Sequence, residues 1–357
     1  MKARLKLFPT VLALIFLLSV FSLGAAADVK YDAHDVEKFR AFLEETDADG
    51  VTNGSKINAL YDPDDPSTWT GEGFSEYKSG VNWNEDGRAA AFYCARDDNE
   101  SVVYGDFDVS GCDALEYVDI YGAAIESANF DGCTSLSELT MCYPEVPLEQ
   151  IDLSANTALT RIILSYNALT ELDLSGSPNL AYLWVENNKL SRLDLSANPN
   201  LTRLVARDNN LTELDLSGSP NLTYLSVEGN KLPRLDLSAN PNLTQLVAKD
   251  NNLTELDLSG SPNLIQLFVE DNNLTELDIS NNMKLITIIC ERNSIKEIDL
   301  TGHSELIELR CNYNELTALN TSECPELIYL QFNYNNIGSI DLSQNLKLIS
   351  LDCGGNS

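Results

Sequence analysis

The sequence predicts a repeat solenoid of the β-rich α/β class, with a parallel sheet on its concave face, short strands or turns on the convex face and a small helical cap at the N-terminus. Three observations carry this. From Leu159 the chain can be written in 21-residue lines starting at Leu159, Leu180, Leu201, Leu222, Leu243, Leu264, Leu285, Leu306 and Leu327, with a partial line from Leu348. Counting the first residue as position 0, apolar residues recur at positions 0, 3, 5, 10, 13 and 15. Position 8 is Asn in every line: Asn167, Asn188, Asn209, Asn230, Asn251, Asn272, Asn293, Asn314, Asn335 and Asn356.

A unit of this length cannot bury six apolar side chains alone. Coils stacked at the β-spacing of about 4.8 Å set each leucine over its counterpart and build one continuous core. Positions 3 and 5 flank an outward position 4, which is strand periodicity. An inward Asn needs backbone partners, and losing one such buried link costs on the order of 1–3 kcal/mol. The line LTQLVAKDNNLTELDLSGSPN, residues 243–263, resembles the leucine-rich repeat family, whose L-x-x-L-x-L-x-x-N signature is matched from Leu159 to the end of the chain. The nested L-T-x-L-D-L-S-x-x-P-N half is similar to the short bacterial type sometimes called IRREKO. That resemblance implies a concave parallel sheet backed by short strands or turns rather than full helices, and a role in protein recognition.

The elements follow in order. Residues 1–27 read as a signal peptide: Lys2, Arg4 and Lys6, an apolar run from Val11 to Leu23, and Ala25-Ala26-Ala27 before the expected cleavage. The apolar run is shorter than the roughly 20 residues that span a bilayer, so the mature chain is expected to be exported without a membrane span. Residues 28–88 break the period and read as an N-terminal cap with one helix from about Asp35 to Glu45, capped by Asp35 and burying Val36, Phe39, Phe42 and Leu43. Trp69-Thr70-Gly71 is similar to the Trp-x-Gly segment of leucine-rich repeat caps, although the paired cysteines common there are absent. The solenoid covers 89–357: degenerate coils over 89–158, regular coils over 159–347 and an incomplete coil over 348–357. An end inside a coil leaves a strand edge unpaired, which is either tolerated or covered by a continuation of the chain.

Charge narrows the partners. With 55 acidic against 23 basic residues the formal charge is −32, which disfavours nucleic acid and anionic lipid. Among the 8 cysteines, Cys112 and Cys133 share position 18 of neighbouring coils and are the pair expected to bridge. Cys290 and Cys311 share inward position 5, where a buried thiol serves as a small apolar residue. The only histidines, His34 and His303, lie far from any nucleophile and base by sequence logic, so no catalytic residue, cofactor or metal ligand is expected. Asp47-Ala48-Asp49-Gly50 opens like a calcium loop, but Asn58 stands where a bidentate Glu is required, which leaves a polar turn.

Two ladders run along the back. Position 14 carries Asp173, Asp194, Asp215, Asp236, Asp257, Asp278, Asp299 and Asp341, whose repulsion must be relieved by Ser and backbone hydrogen bonds or by cations. Position 12 alternates Glu171, Arg192, Glu213, Arg234 and Glu255 and reads as a salt-bridge ladder.

The expected binding face is the outward side of the first strand. Position 4 runs Ile163, Trp184, Val205, Ser226, Val247, Phe268 and Ile289, flanked by Tyr182, Tyr224, Gln245 and Gln266 at position 2 and by Glu186, Arg207, Glu228, Lys249, Glu270 and Glu291 at position 6. An apolar and aromatic stripe with a charged rim has the composition of an interface. Residues 180–221 and 222–263 are copies that differ at only six places, five of them at positions 1, 2, 4, 6 and 7. The sequence therefore predicts a secreted or cell-surface, non-catalytic protein that holds a protein of host or neighbouring cells against its concave face. Carbohydrate binding is the alternative of the same class; a β-solenoid polysaccharide enzyme and a structural spacer are the others. Asn-Leu-Thr triplets at Asn200, Asn210 and Asn221 match glycosylation acceptors as a by-product of the repeat.

Overall fold

The structure, a computed structural model, describes residues 30–71, 79–95 and 102–357. The leader read at 1–27 lies outside the described residues. Helix α1 (Ala33–Glu44) starts earlier than the sequence suggests, because Asp32 rather than Asp35 is the N-cap and accepts from the amides of His34 at 3.0 Å and Asp35 at 3.2 Å. Asp35 is instead buried in the first turn. It accepts Arg88 Nε at 2.8 Å, Arg88 Nη2 at 3.1 Å and the Ala89 amide at 2.9 Å, the partners a buried carboxylate requires. Phe39, Phe42 and Leu43 form the buried face of α1. Phe42 meets Phe107 edge-on at 5.1 Å and Phe92 at 5.7 Å, which plugs the end of the leucine stack with aromatic rings.

The cap also holds a second helix that the sequence reading did not contain, α2 (Asn53–Ile57), which five residues and a Thr52 cap are enough to define. Before it, Asp47 accepts from the amides of Asp49 at 3.0 Å and Val51 at 2.9 Å and pairs with Lys56 at 3.0 Å, so this segment is a polar turn. Trp69 is buried, with Nε1 donating to Asp62 O at 2.8 Å.

Strand β1 (Gly80–Trp83) pairs antiparallel with β2 (Ala89–Ala95), and every later pairing is parallel. Beyond β2, a ribbon of β3 (Tyr104–Asp108) and β5 (Ala124–Asn129) lies apart from the main sheet, which continues through β4 (Tyr117–Tyr121) and β6 (Glu138–Cys142). Three-residue strands follow at each regular coil: β7 (Arg161–Ile163), β8 (Tyr182–Trp184), β9 (Arg203–Val205), β10 (Tyr224–Ser226), β11 (Gln245–Val247), β12 (Gln266–Phe268), β13 (Thr287–Ile289), β14 (Glu308–Arg310), β15 (Tyr329–Gln331) and β16 (Ser350–Asp352). Each residue pairs with the one 21 places on, as Leu204 with Leu225. The back of the regular coils is turns, joined among the described residues by one isolated bridge, Asp236 to Asp257.

Two inward polar columns stitch the coils. At position 8, Asn209 donates to Val185 O at 2.9 Å, Ala206 O at 3.2 Å and Arg207 O at 3.2 Å, while its Oδ1 accepts the Leu190 amide at 3.0 Å. The other asparagines of the column repeat this pattern, for instance Asn230 with Ala206 O, Val227 O, Glu228 O and the Leu211 amide. At position 18, Asn198 donates to Leu174 O at 3.1 Å and Ser177 O at 2.9 Å, and its Oδ1 is buried without a partner. Buried Ser, His and Cys also occupy that column, at Ser219, His303 and Cys324, each at position 18.

Along the back, each position-14 carboxylate is relieved locally. The Ser175 hydroxyl and amide hold Asp173 below the usual carboxylate range, with the amide at 2.9 Å, and Ser343 does the same for Asp341. Among the described residues no group of three or more His, Cys, Asp and Glu side chains is arranged to hold a metal ion. The position-12 ladder does not form: Glu171, Arg192, Glu213, Arg234 and Glu255 are exposed and unpaired, since water screens such charges as well as a partner would. All eight cysteines are thiols. Cys133 Sγ contacts Val109 O at 3.1 Å, and Cys112 lies beside it as a separate buried thiol. Burial pushes Cys133 up to about 12.

Candidate binding face

The outward positions 2, 4 and 6 lie side by side along the parallel sheet, so the register of the coils turns each into a row. At position 2 the row is charged and aromatic by turns. Arg161 reaches Glu138 at 3.6 Å and stands 5.0 Å from the Tyr182 ring centre; Arg203 lies 5.9 Å from Tyr182 and 3.9 Å from Tyr224. Trp184 sits 6.2 Å from Tyr182. Burial pushes the Tyr182 phenol up, against the pull of the two arginines. These contacts order long side chains before any partner arrives, which lowers the entropy a partner must remove.

At position 4, Ile163, Trp184, Val247, Phe268 and Ile289 are half-buried, whereas Val205 is only 3% exposed. Val205 was expected at the surface. It pairs directly with Trp184 in the neighbouring strand, and a short side chain beside a long one is shaded from solvent. Glu186, expected on the rim, is likewise 2% exposed, because it is held in an ion pair by Arg207 of the next coil. Further along the same row Lys249 pairs with Glu228 at 3.0 Å, and Glu291 accepts from Asn312 Nδ2 at 2.8 Å. Glu270 between them is half-buried, its Oε2 without a partner, and burial raises its pKa against the pull of Lys249.

The structure thus places Ile163, Tyr182, Trp184, Arg207, Tyr224, Gln266, Phe268 and Ile289 along one accessible face, with Val205 and Glu186 beneath it. Sequence reading missed Arg161 and met Arg203 only as a place where the two copies differ, although the Arg–Tyr alternation over Arg161, Tyr182, Arg203 and Tyr224 was there to be seen. It counted position 7 among the diverged positions but missed that the chain leaves the strand there in the left-handed region: Tyr143, Tyr166, Asn187, Asp208, Asp250, Asp271, Arg292, Tyr313 and Tyr334 have φ between 52° and 62°. On the opposite edge, a shallow groove of about 590 Å³ is lined by Asn200, Thr202, Asn221, Thr223, Asn242 and Thr244. Most of their polar hydrogens are spent on the preceding coil, as Asn221 Nδ2 on Pro199 O at 2.9 Å and Thr223 Oγ1 on Thr202 O at 3.0 Å.

A parallel sheet of 21-residue coils, an inward Asn at the exit of each strand and a back made of turns define the leucine-rich repeat class of solenoid. Nothing among protein-family models or curated proteins matches the chain. Solved structures of the class do. The functional domain of InlJ from Listeria monocytogenes, which includes a cysteine ladder, is 28% identical, with a TM-score of 0.51 over 70% of this chain and 67% of that one. YopM from Yersinia enterocolitica is 26% identical, with a TM-score of 0.61 over 72% of this chain and 54% of that one. The Toll–Spatzle complex of Drosophila shares the fold at 22% identity, with a TM-score of 0.56 over 69% of this chain and 41% of that one.

Proposed function

We propose that this chain is a secreted or cell-surface, non-catalytic binding protein that holds a protein of host or neighbouring cells against the concave sheet, in adhesion. The observation that carries the reading is the row Arg161–Tyr182–Arg203–Tyr224 with Trp184 beside it. Trp, Tyr and Arg are the residues that anchor interfaces, and here they stand pre-ordered, partly exposed and adjacent. A solenoid of the same class engages a protein in the Toll–Spatzle complex.

The test is a binding screen of residues 28–357 against cell-surface ectodomains and a glycan array, run beside the Trp184→Thr, Phe268→Thr double variant. A protein hit is expected to weaken by at least about 2 kcal/mol in the double variant. A glycan hit lost in the same variant replaces the protein partner with a carbohydrate, and a hit indifferent to both substitutions removes the concave stripe as the site.

A further inference from the structure

Seven tyrosines are exposed among the described residues, and five of them, Tyr121, Tyr143, Tyr166, Tyr313 and Tyr334, line the edge where the chain leaves the strands. They form two stacks. Tyr143 and Tyr166 lie 4.1 Å apart at 23°, with Tyr121 5.1 Å from Tyr143; Tyr313 and Tyr334 lie 4.4 Å apart at 13°.

Backbone geometry does not select these rings. Four of the five occupy position 7, whose left-handed conformation disfavours bulky L-residues. Five of the six coils between the stacks fill the same place with Asn187, Asp208, Gly229, Asp250 and Asp271, the types that suit it, and the sixth with Arg292. Burial does not select them either, because the five rings keep 37–56% of their surface exposed. Beyond the contact each ring makes with its stacking neighbour, its exposed surface is available to something outside the chain.

Charge says what kind. The chain carries a formal charge of −32, and of the six coils between the stacks three present Asp208, Asp250 and Asp271 on this edge against one cation, Arg292, which lies 3.5 Å from Asp271. An acidic segment is repelled there and a basic one attracted. Tyr166 and Tyr313 are seven coils apart, a span of about 34 Å at about 4.8 Å per coil and so of about ten extended residues.

We propose that this edge docks an extended cationic segment of about ten residues of a protein partner, with a tyrosine stack holding each end. The proposal rests on the protein-binding reading above and names the chemistry of the partner and a second contact line for it.

The test titrates the full chain with fluorescein-labelled deca-arginine at about 0.15 M salt. Three variants are compared: Tyr166→Asn with Tyr334→Asn; Asp208→Asn with Asp250→Asn and Asp271→Asn; and a charge-matched control on the back, Asp215→Asn with Asp236→Asn and Asp257→Asn. Asn suits the left-handed position, so the first two keep the fold, which matching melting curves verify. Affinity is expected to fall about tenfold in the edge triple variant, about fivefold in the tyrosine variant and less than about twofold in the control. Equal loss in the edge and control variants, or native affinity in the tyrosine variant, overturns the proposal. The Trp184→Thr, Phe268→Thr variant is expected to hold deca-arginine within about twofold, so failure of the edge and failure of the concave stripe appear in different proteins.

Discussion

Two columns of asparagine run through the same core, and only one of them is uniform. At position 8 both ends of the amide are engaged: Asn230 donates to three carbonyls, one in the preceding coil and two in its own, and accepts one amide of the preceding coil, joining two coils. At position 18, Asn240 donates to Leu216 O and Ser219 O, but its Oδ1 is buried with no partner. A residue used at both ends is irreplaceable, whereas one used at a single end is exchangeable for any small donor that fits. This accounts for Ser219 and Ser261 in the second column, whose hydroxyls donate to Asn198 O at 3.1 Å and Asn240 O at 3.0 Å, and for the fully buried His303 with Nδ1 3.2 Å from Thr301 O. Residue identity here follows from the number of satisfied directions rather than from depth, since both columns are buried.

The comparison breaks most readily at Asn230. Asn230→Leu strands three carbonyls and one amide, and a loss of about 3 kcal/mol or more is expected in denaturant unfolding. Asn240→Ser should cost less than about 1 kcal/mol in the same assay, because a hydroxyl replaces the donor and the unpartnered oxygen disappears. Equal losses at the two sites would refute the account.

Acidity sharpens it further. Hydrogen bonds from Ser hold Asp173, Asp215 and Asp257 below the usual range, so their contribution is present above about pH 3.9 and is lost as pH falls through their lower folded values. Asp208 and Glu270 are raised, first by burial and then by neighbouring carboxylates such as Glu228. Their contribution is complete below the unfolded carboxylate values and is lost as pH rises through the raised ones. The melting temperature is therefore expected to rise modestly as pH falls through the raised carboxylate values and to drop again as pH falls through the lowered ones. Neither Asn230 nor Asn240 titrates, so the gap between Asn230→Leu and Asn240→Ser should stay constant while the parent curve moves.

Much of the fold was legible because the period is long, exact and repeated. Leu159 to Leu348 fixed the phase, the phase fixed which side chains turn inward, and the position-8 column followed. The cap was less legible: α1 was found from Phe39, Phe42 and Leu43, but Asp35 looks like a cap until Arg88 is known to lie beside it. On the concave face, alternation gives direction but not depth. Val205 and Glu186 point outward and are nonetheless covered, because strand neighbours about 4.8 Å away shade one another. The left-handed position 7 had a signal in Asn187, Asp208, Gly229, Asp250 and Asp271, which the tyrosines and Arg292 at the same position obscured.

The two near-identical 42-residue blocks, 180–221 and 222–263, meet their neighbours through the same register and the same asparagine joints. Unequal exchange between the encoding segments would add or remove two whole coils, lengthening or shortening the sheet by about 10 Å with every joint rebuilt as before. Such a protein changes the span it offers a partner in fixed steps, and the distance between its two tyrosine stacks is the quantity those steps would tune.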